Sequence, residues 1–472
     1  MTDGWPWVGV LAVLPLAVAA ASLLPMDLER LRRVSVTAAL LMLLATLAVA
    51  WAPWLPAMPP VRTPGGDVLF RVDALSSLLL PFASALWLLT VAVTPRAALD
   101  RHGLRRTAVA TLATLASFLT QSAVLLFVLW IVSVWTFLSA LSGPAHQRQR
   151  RVVAAYLGAS SVLLGAGIAL TFAPLTQGTR LETVGLWLIV VAALVRKGIF
   201  PFHAWVPEVF DHGRLGPAIL FSAPQLGAYV TVVLIVPRAS PDLLRLVAVL
   251  ALGTAVYGAA LALVQTSARR ACGYLFMSQS ALVMAGLDCT SPSALAGGFA
   301  LWLSAGLAFA GLARVVLVLE ARRGRLDLST YHGGYERMPV LAASFLALGL
   351  ACTGFPGTLG FAGQELLVGG AVDVFPVLGF AVVVASALTG LAVLRMYFAL
   401  FCGRPDGPAG ATAHLGLTRR EALTFAALLT ALIGLGIAPR PVIDSAFEAS
   451  DAILSQRQAP ATIGRVEAGP EP

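Results

Sequence analysis

Asparagine is absent from all 472 residues, and lysine occurs once, at Lys197. Every other basic side chain apart from the histidines is arginine, so a lysine that persists here points to something arginine cannot do. The difference is acidity: a desolvated ammonium can give up its proton, whereas a guanidinium stays charged at any accessible pH. Lys197 is therefore a candidate for reversible protonation inside a membrane. Four cysteines, Cys272, Cys289, Cys352 and Cys402, stand without C-x-x-C spacing, so no disulfide framework, metal site or iron–sulfur cluster follows from them. They read as small apolar packing residues. The histidines lack paired ligand spacing, and only His203 lies near a span that contains an ionisable partner. The glycine-rich stretch 354–363 has neither the preceding strand nor the lysine of a phosphate loop. No cofactor, metal, redox or hydrolytic constellation is present, which assigns the driving chemistry to a partner.

Charge is scarce as well. Charged residues make up 12% and hydrophobic residues 58%, with a mean hydropathy of +0.85, too little polar surface to cover a soluble globule of this size. The composition predicts an all-α polytopic membrane protein. Apolar runs long enough to cross about 30 Å of hydrocarbon as helix recur throughout. About fourteen are expected, near 5–25, 34–53, 74–95, 106–120, 122–142, 152–173, 182–200, 216–237, 243–264, 270–287, 291–319, 338–353, 358–401 and 421–438. The run 358–401 is itself broken, or pairs with 338–353 as a discontinuous span.

A net charge of +9 raises the question of nucleic acid, yet the arginines cluster in short loops, which is an orientation signal. Arg30, Arg32 and Arg33 follow the first span, Arg96, Arg101, Arg105 and Arg106 the third, and Arg148, Arg150 and Arg151 the fifth. Arg269 and Arg270, then Arg322, Arg323, Arg325 and Arg337, then Arg404, Arg419 and Arg420 continue the alternation. This puts the odd-numbered loops in the cytoplasm, both termini outside and the chain in the cell (inner) membrane, with no nucleic-acid partner. The first apolar segment lacks a basic start and a small-residue cleavage site, so it is expected to be a retained helix.

Two apolar segments are interrupted alike, at Lys197-Gly198-Ile199-Phe200-Pro201 and at Gly354-Phe355-Pro356-Gly357-Thr358. Paired broken helices at matching positions of two halves are the sequence mark of inverted-repeat transporters whose ion path runs through the breaks. A break frees backbone groups at depth, tolerable only where protein or water satisfies them. Proline kinks that merely shape a bundle are the plainer alternative.

The stretch Lys197-Gly198-Ile199-Phe200-Pro201-Phe202-His203-Ala204-Trp205-Val206-Pro207-Glu208 resembles the K-x-x-x-P-x-H-x-W-L-P-D/E signature of the antiporter-like subunits of NADH-quinone oxidoreductase, related hydrogenases and multisubunit cation/proton antiporters. Residues 265–279 are similar to that family's Q-x-D-x-K-R-x-x-A-Y-S-x-x-S-Q, 331–339 to its D-x-G-G-L-x-x-x-M-P loop, and 355–365 to the L-P-G-T-x-x-F-x-G-E-F of its subunit M type. The resemblance runs from about Asp73 to Gly403. It implies two inverted five-helix repeats, at 106–237 and 238–403, after N-terminal helices at 1–105. A final span at 404–438 and a short polar tail at 439–472 complete the expected layout, with no long lateral helix.

The resemblance also implies a polar axis at mid-membrane, and here the chain departs from the pattern. Lys197 keeps the lysine of the first broken helix. The glutamate expected to face it is Ile131, the bridging lysine is Gln225, the polar residue of the eleventh span is Phe299, and the acid of the second broken helix is Gln364, with Glu365 one place later. The expected proton path comprises Lys197, His203, Glu208, Asp211, Gln225, Gln364 and Glu365. His203, Glu208, Asp211 and His212 form either the mouth of a half-channel or a solvated loop, and Lys197 either a relay or a residue snorkelling beside Arg196. Glu365, a carboxylate within an apolar span, is expected to line a cavity.

The function implied is a proton-translocating subunit of a respiratory or hydrogenase-type complex, working beside other membrane subunits and a peripheral redox or metalloprotein arm, with protons or Na+ as cargo. A non-pumping scaffold of the same fold, or the membrane subunit of a cation/proton antiporter or bicarbonate-accumulating complex, are the alternatives.

Overall fold

Short polar side chains start the helices. Asp73 and Ser76 form a capping box at one helix start, Thr418 and Glu421 another, and Ser122, Ser240 and Ser267 cap three more. Each satisfies an amide that the first helical turn leaves without a partner. The computed structural model describes residues 5–51, 58–63, 66–95, 98–142, 146–374, 376–403 and 417–458.

In chain order the helices are α1 (Trp5–Ala21), α2 (Leu28–Trp51), α3 (Ala74–Val93), α4 (Arg101–Leu119), α5 (Ala123–Ala140), α6 (Gln147–Phe172), α7 (Arg180–Lys197), α8 (Trp205–His212), α9 (Leu215–Ser222) and α10 (Leu226–Val230), which continues as a π turn, Thr231–Ile235. There follow α11 (Pro241–Val264), α12 (Ala268–Asp288), α13 (Pro292–Arg323), α14 (Pro339–Cys352), α15 (Leu359–Val374), α16 (Pro376–Phe401), α17 (Arg419–Ile437) and α18 (Arg440–Gln458). A small antiparallel hairpin, β1 (Val61–Arg62) and β2 (Val68–Phe70), precedes α3. The chain is an all-α, multi-pass membrane protein. Among the described residues nine helical segments are long and apolar enough to cross a membrane, and two shorter apolar helices, Trp7–Ala21 and Pro339–Cys352, accompany them.

Burial sorts these helices. The most apolar window of α13 is 94% buried, against 22% for α17 and 28% for α2, so α13 runs through the middle of the bundle while α2 and α17 face outward. α12 is buried continuously from Ala271 to its end. It packs on α11 and α13, and α13 in turn packs on α14, α15 and α3.

The arginine-bearing ends meet at one end of the bundle. Arg322 pairs with Glu421 at 2.7 Å, Arg325 with Asp211 at 2.8 Å, and Arg420 with Glu29 at 3.9 Å. These contacts join the loops that the arginine pattern groups together; Arg96 and Arg404 lie outside the described residues. At the other end Trp7 Nε1 donates to the Pro59 carbonyl (2.8 Å), and Arg457 donates to the carbonyls of Val236 (2.6 Å) and Ala239 (2.8 Å).

The run 358–401 is broken, as expected, into α15 and α16. Two sequence expectations need correction. The run 216–237 is also interrupted, because Pro224 cannot extend α9 and Gln225 adopts a left-handed backbone, φ 51°. Residues 440–458 form a helix where a short tail is expected: Val442, Ala446, Ala449 and Ile453 bury one face of α18 against α13 and α3.

Candidate functional site

Helix α7 ends at Lys197 because Gly198 takes a left-handed conformation, φ 68°, which costs a residue without Cβ nothing. The backbone groups freed by this break find side-chain partners: Trp205 Nε1 donates to the Val195 carbonyl (2.9 Å), and the Phe200 amide donates to Thr254 Oγ1 (3.1 Å). The break is thereby held open at depth.

Lys197 is 3% exposed, which excludes snorkelling to an interface. Its stem lies against Gly227, where a Cβ would come within 2.7 Å of Lys197 Cγ. Its ammonium donates to Gln225 Oε1, and Ser280 Oγ donates to the same oxygen at 3.4 Å. A cavity of about 10 Å³ lined by Lys197, Gln225 and Ser280 has the size and polarity for one water. The left-handed Gln225 backbone is what aims its amide at Lys197, a strained conformation of the kind found at functional sites.

Helix α12 continues the polar line toward the second half. Next to Ser280, Gln279 Nε2 donates to Thr389 Oγ1 of α16 (3.4 Å), and Ser278 Oγ lies 3.5 Å from the same hydroxyl. Gly390, beside Thr389, faces Thr353 at the second break. Ser278 and Gln279 close the 265–279 motif legible in the sequence and Ser280 lies one place beyond it, but the link that the three make comes from the facing of α12.

Ile131 does not face Lys197. It is 42% exposed on an outward stripe of α5 with Val124, Val128 and Trp135. The neighbour of Lys197 that meets α5 is Arg196, whose guanidinium donates to Ser133 Oγ (2.6 Å) and stacks on Trp130 and Phe221 at 4.1 and 4.4 Å. Neighbouring positions on a helix point about 100° apart, so the tandem Arg196-Lys197 serves two different neighbours.

A buried carboxylate close enough to feel the Lys197 charge is Asp288, at the end of α12. It is 2% exposed, and neither carboxylate oxygen has a hydrogen-bond partner. The sequence reading missed it, because an aspartate beside Cys-Thr-Ser-Pro looks like the start of a solvated loop. Its signal is a carboxylate closing an otherwise apolar run.

The remaining candidates separate. His203 is half-buried against Phe200 and Tyr257 on the α11 side of the break. Asp211 is a clamp rather than part of an open mouth: its carboxylate accepts from Ser267 (2.7 Å) and Arg325 (2.8 Å), which pins α8 to the starts and ends of α12 and α13. Glu208 and His212 pair at 3.6 Å on the half-exposed surface of α8. Gln364 lies in the second break against Gly354, with its Nε2 buried and without a partner. Glu365 is exposed and lines no internal cavity, because one step along α15 turns it away from Gln364. Phe299 is a buried core residue.

The family model described as NADH:quinone oxidoreductase/Mrp antiporter, TM, matches residues 167–389, which contain both breaks and the α12 bridge. That match takes in just under half of the chain, so what is shown is a similarity to this antiporter-like family over its central helices. The chain is 30% identical over 279 residues to NADH-quinone oxidoreductase subunit M of Pseudomonas aeruginosa (56% of this chain, 53% of that one) and 30% identical over 331 residues to subunit N of Beutenbergia cavernae (63% and 62%). The chain thus spans little more than half the length of the curated relatives it matches. The fold is shared over nearly its whole length with chains of solved complexes. A chain of the Mrp complex from Dietzia sp. superposes with TM-score 0.84 at 19% identity, covering 96% of this chain and 98% of that one. A chain of respiratory complex I from Thermus thermophilus gives 0.85 at 21%, covering 95% and 99%.

Proposed function

We propose that this chain is a proton-translocating membrane subunit of a redox-driven respiratory complex of the NADH-quinone oxidoreductase type, set in the inner membrane with both termini outside. Other membrane subunits and a peripheral redox arm would surround it. The observation that carries the reading is the buried contact of Lys197 with Gln225 and Ser280 inside the first broken span. An ammonium with one acceptor amide, one hydroxyl and space for one water has the parts of a proton relay: the lysine gives up and regains a proton, and the amide and hydroxyl orient the water that carries it. Protons suit this line better than Na+, which is held by several oxygen ligands; the ionisable group on this line is a cation that repels Na+. The bridge through Ser278, Gln279 and Thr389 carries hydrogen bonds toward the second half but no charge.

A scaffold reading draws on that second half, where Gln364 stands in the break and Glu365 faces outward. Proton uptake by the assembled complex in sealed vesicles, followed by dye quenching, separates the two. Gln225→Leu removes the acceptor of Lys197 while leaving both breaks intact. The relay requires uptake to fall steeply in this variant at normal assembly; unchanged uptake favours the scaffold.

A further inference from the structure

Between α3, α4, α5, α9 and α13, at the arginine-rich end of the bundle, lies a cavity of about 580 Å³. Its volume falls in the range of small-molecule sites. Four guanidinium groups line it, from Arg106, Arg214, Arg269 and Arg314. Among the described residues Asp100 is the carboxylate in the lining, shared by Arg214 (3.2 Å) and Arg106 (3.7 Å). Glu320, just outside, pairs with Arg269. Four cations therefore meet two anions, and Arg314 has neither.

Arg314 is fully buried, at 0% exposure on the central helix α13. Its Nη2 donates to Thr90 Oγ1 (3.0 Å) and to the Gly216 carbonyl (3.4 Å), while Nε and Nη1 have no partner. A buried guanidinium without a carboxylate is costly unless an anion nearby offsets its charge; Arg314 Nε and Nη1 lie on different edges of the planar fork and are shielded from the cavity, so the group acts through its charge across the wall. Behind the inner wall, Ser133 and Phe221 hold Arg196, a second buried guanidinium without a carboxylate. This surplus of fixed positive charge repels cations and hydronium, so the cavity is unsuited to proton access. Most of its wall is apolar, which fits a headgroup that carries a hydrocarbon tail.

We propose that this cavity binds a phosphate-class oxyanion, drawn by the uncompensated charge of Arg314 and held in place by Arg214 and Arg106. Two sources share this chemistry, an anionic phospholipid headgroup and free phosphate. The test uses the full chain in its assembled complex, exchanged into neutral detergent. One arm adds nanodiscs of phosphatidylcholine with or without phosphatidylglycerol and counts retained phosphatidylglycerol by native mass spectrometry. The other adds inorganic phosphate and reads the thermal midpoint and isothermal titration. Each is run on wild type, Arg314→Gln and Arg214→Gln; the last is half-exposed and spares the core if Arg314→Gln fails to fold. Saturable retention of phosphatidylglycerol that falls about tenfold or more in the variants, the loss expected when a charge-assisted partner of the anion is removed, assigns a lipid. Saturable phosphate binding with the same loss assigns the free ion. Binding of neither probe to wild type, or equal binding of both in wild type and Arg214→Gln, overturns the proposal.

Discussion

The Lys197 ammonium donates to the Gln225 side chain across the junction of two interrupted spans, α7–α8 and α9–α10. The lysine stands at a helix C-terminus and the glutamine at the left-handed residue that starts the next helix, so each break supplies one end of the contact. A helix C-terminus also favours a cation, which adds to the hold on Lys197.

Asp288→Asn removes the buried carboxylate that the Lys197 charge feels. Uptake by the assembled complex is expected to fall, while the thermal midpoint holds or rises, because an unpartnered buried carboxylate is replaced by a neutral isostere. Undiminished uptake would leave Asp288 without a role on the path.

Trp205→Phe keeps an aromatic ring, though a smaller one, and deletes the indole donor to the Val195 carbonyl. Leaving that carbonyl unsatisfied at depth costs about 1–3 kcal/mol. Detergent thermal denaturation is expected to show a lower midpoint for this variant; an unchanged one would mean that water or another donor completes the break.

How far the sequence carries this account depends on the kind of feature. Both expected breaks are legible because each joins a glycine free to turn left-handed to a proline two or three places on, Gly198 to Pro201 and Gly354 to Pro356; a lone proline is not enough, since Pro15 and Pro81 sit inside helices. Facing is not legible. A motif counts positions along the chain, and it cannot show that Arg196 turns to α5 while Lys197 turns to α10, or that Ile131 and Glu365 point outward. Arg314 lay in view as the lone charge inside the run 291–319, and its meaning depends on the absence of a carboxylate nearby, which only packing reveals. The break at Gln225 was missed because Ala-Pro-Gln inside an apolar run reads as a kink.

Ile131→Glu makes the facing testable. If residue 131 opposed Lys197, the new carboxylate would pair with it and alter uptake. On the outward stripe of α5 it instead leaves uptake per assembled complex at the wild-type level, with assembly lowered by a charge cost of about 2–4 kcal/mol. A changed rate in fully assembled complex would place the side chain inside after all.

Orientation is checked by cysteine labelling in sealed vesicles. Arg150, in the first turn of α6, and Gln177, in the loop that follows that helix, are both exposed at its opposite ends, whereas Gln149 is buried and makes a poor probe. In a background with Cys402→Ala, a cysteine at Arg150 is expected to react from the cytoplasmic side and one at Gln177 from the outside. The reverse pattern would invert the topology.

The central claim is that Lys197 must lose and regain a proton. The most direct measurement is proton uptake by the assembled complex in vesicles, comparing wild type, Lys197→Arg and Lys197→Ala at matched assembly. A guanidinium keeps the charge but cannot cycle it. The account predicts that Arg fails nearly as badly as Ala, each by about a hundredfold or more, the scale of a lost proton-transfer group. Wild-type uptake in Lys197→Arg would show that a fixed positive charge suffices at this position and would contradict the relay.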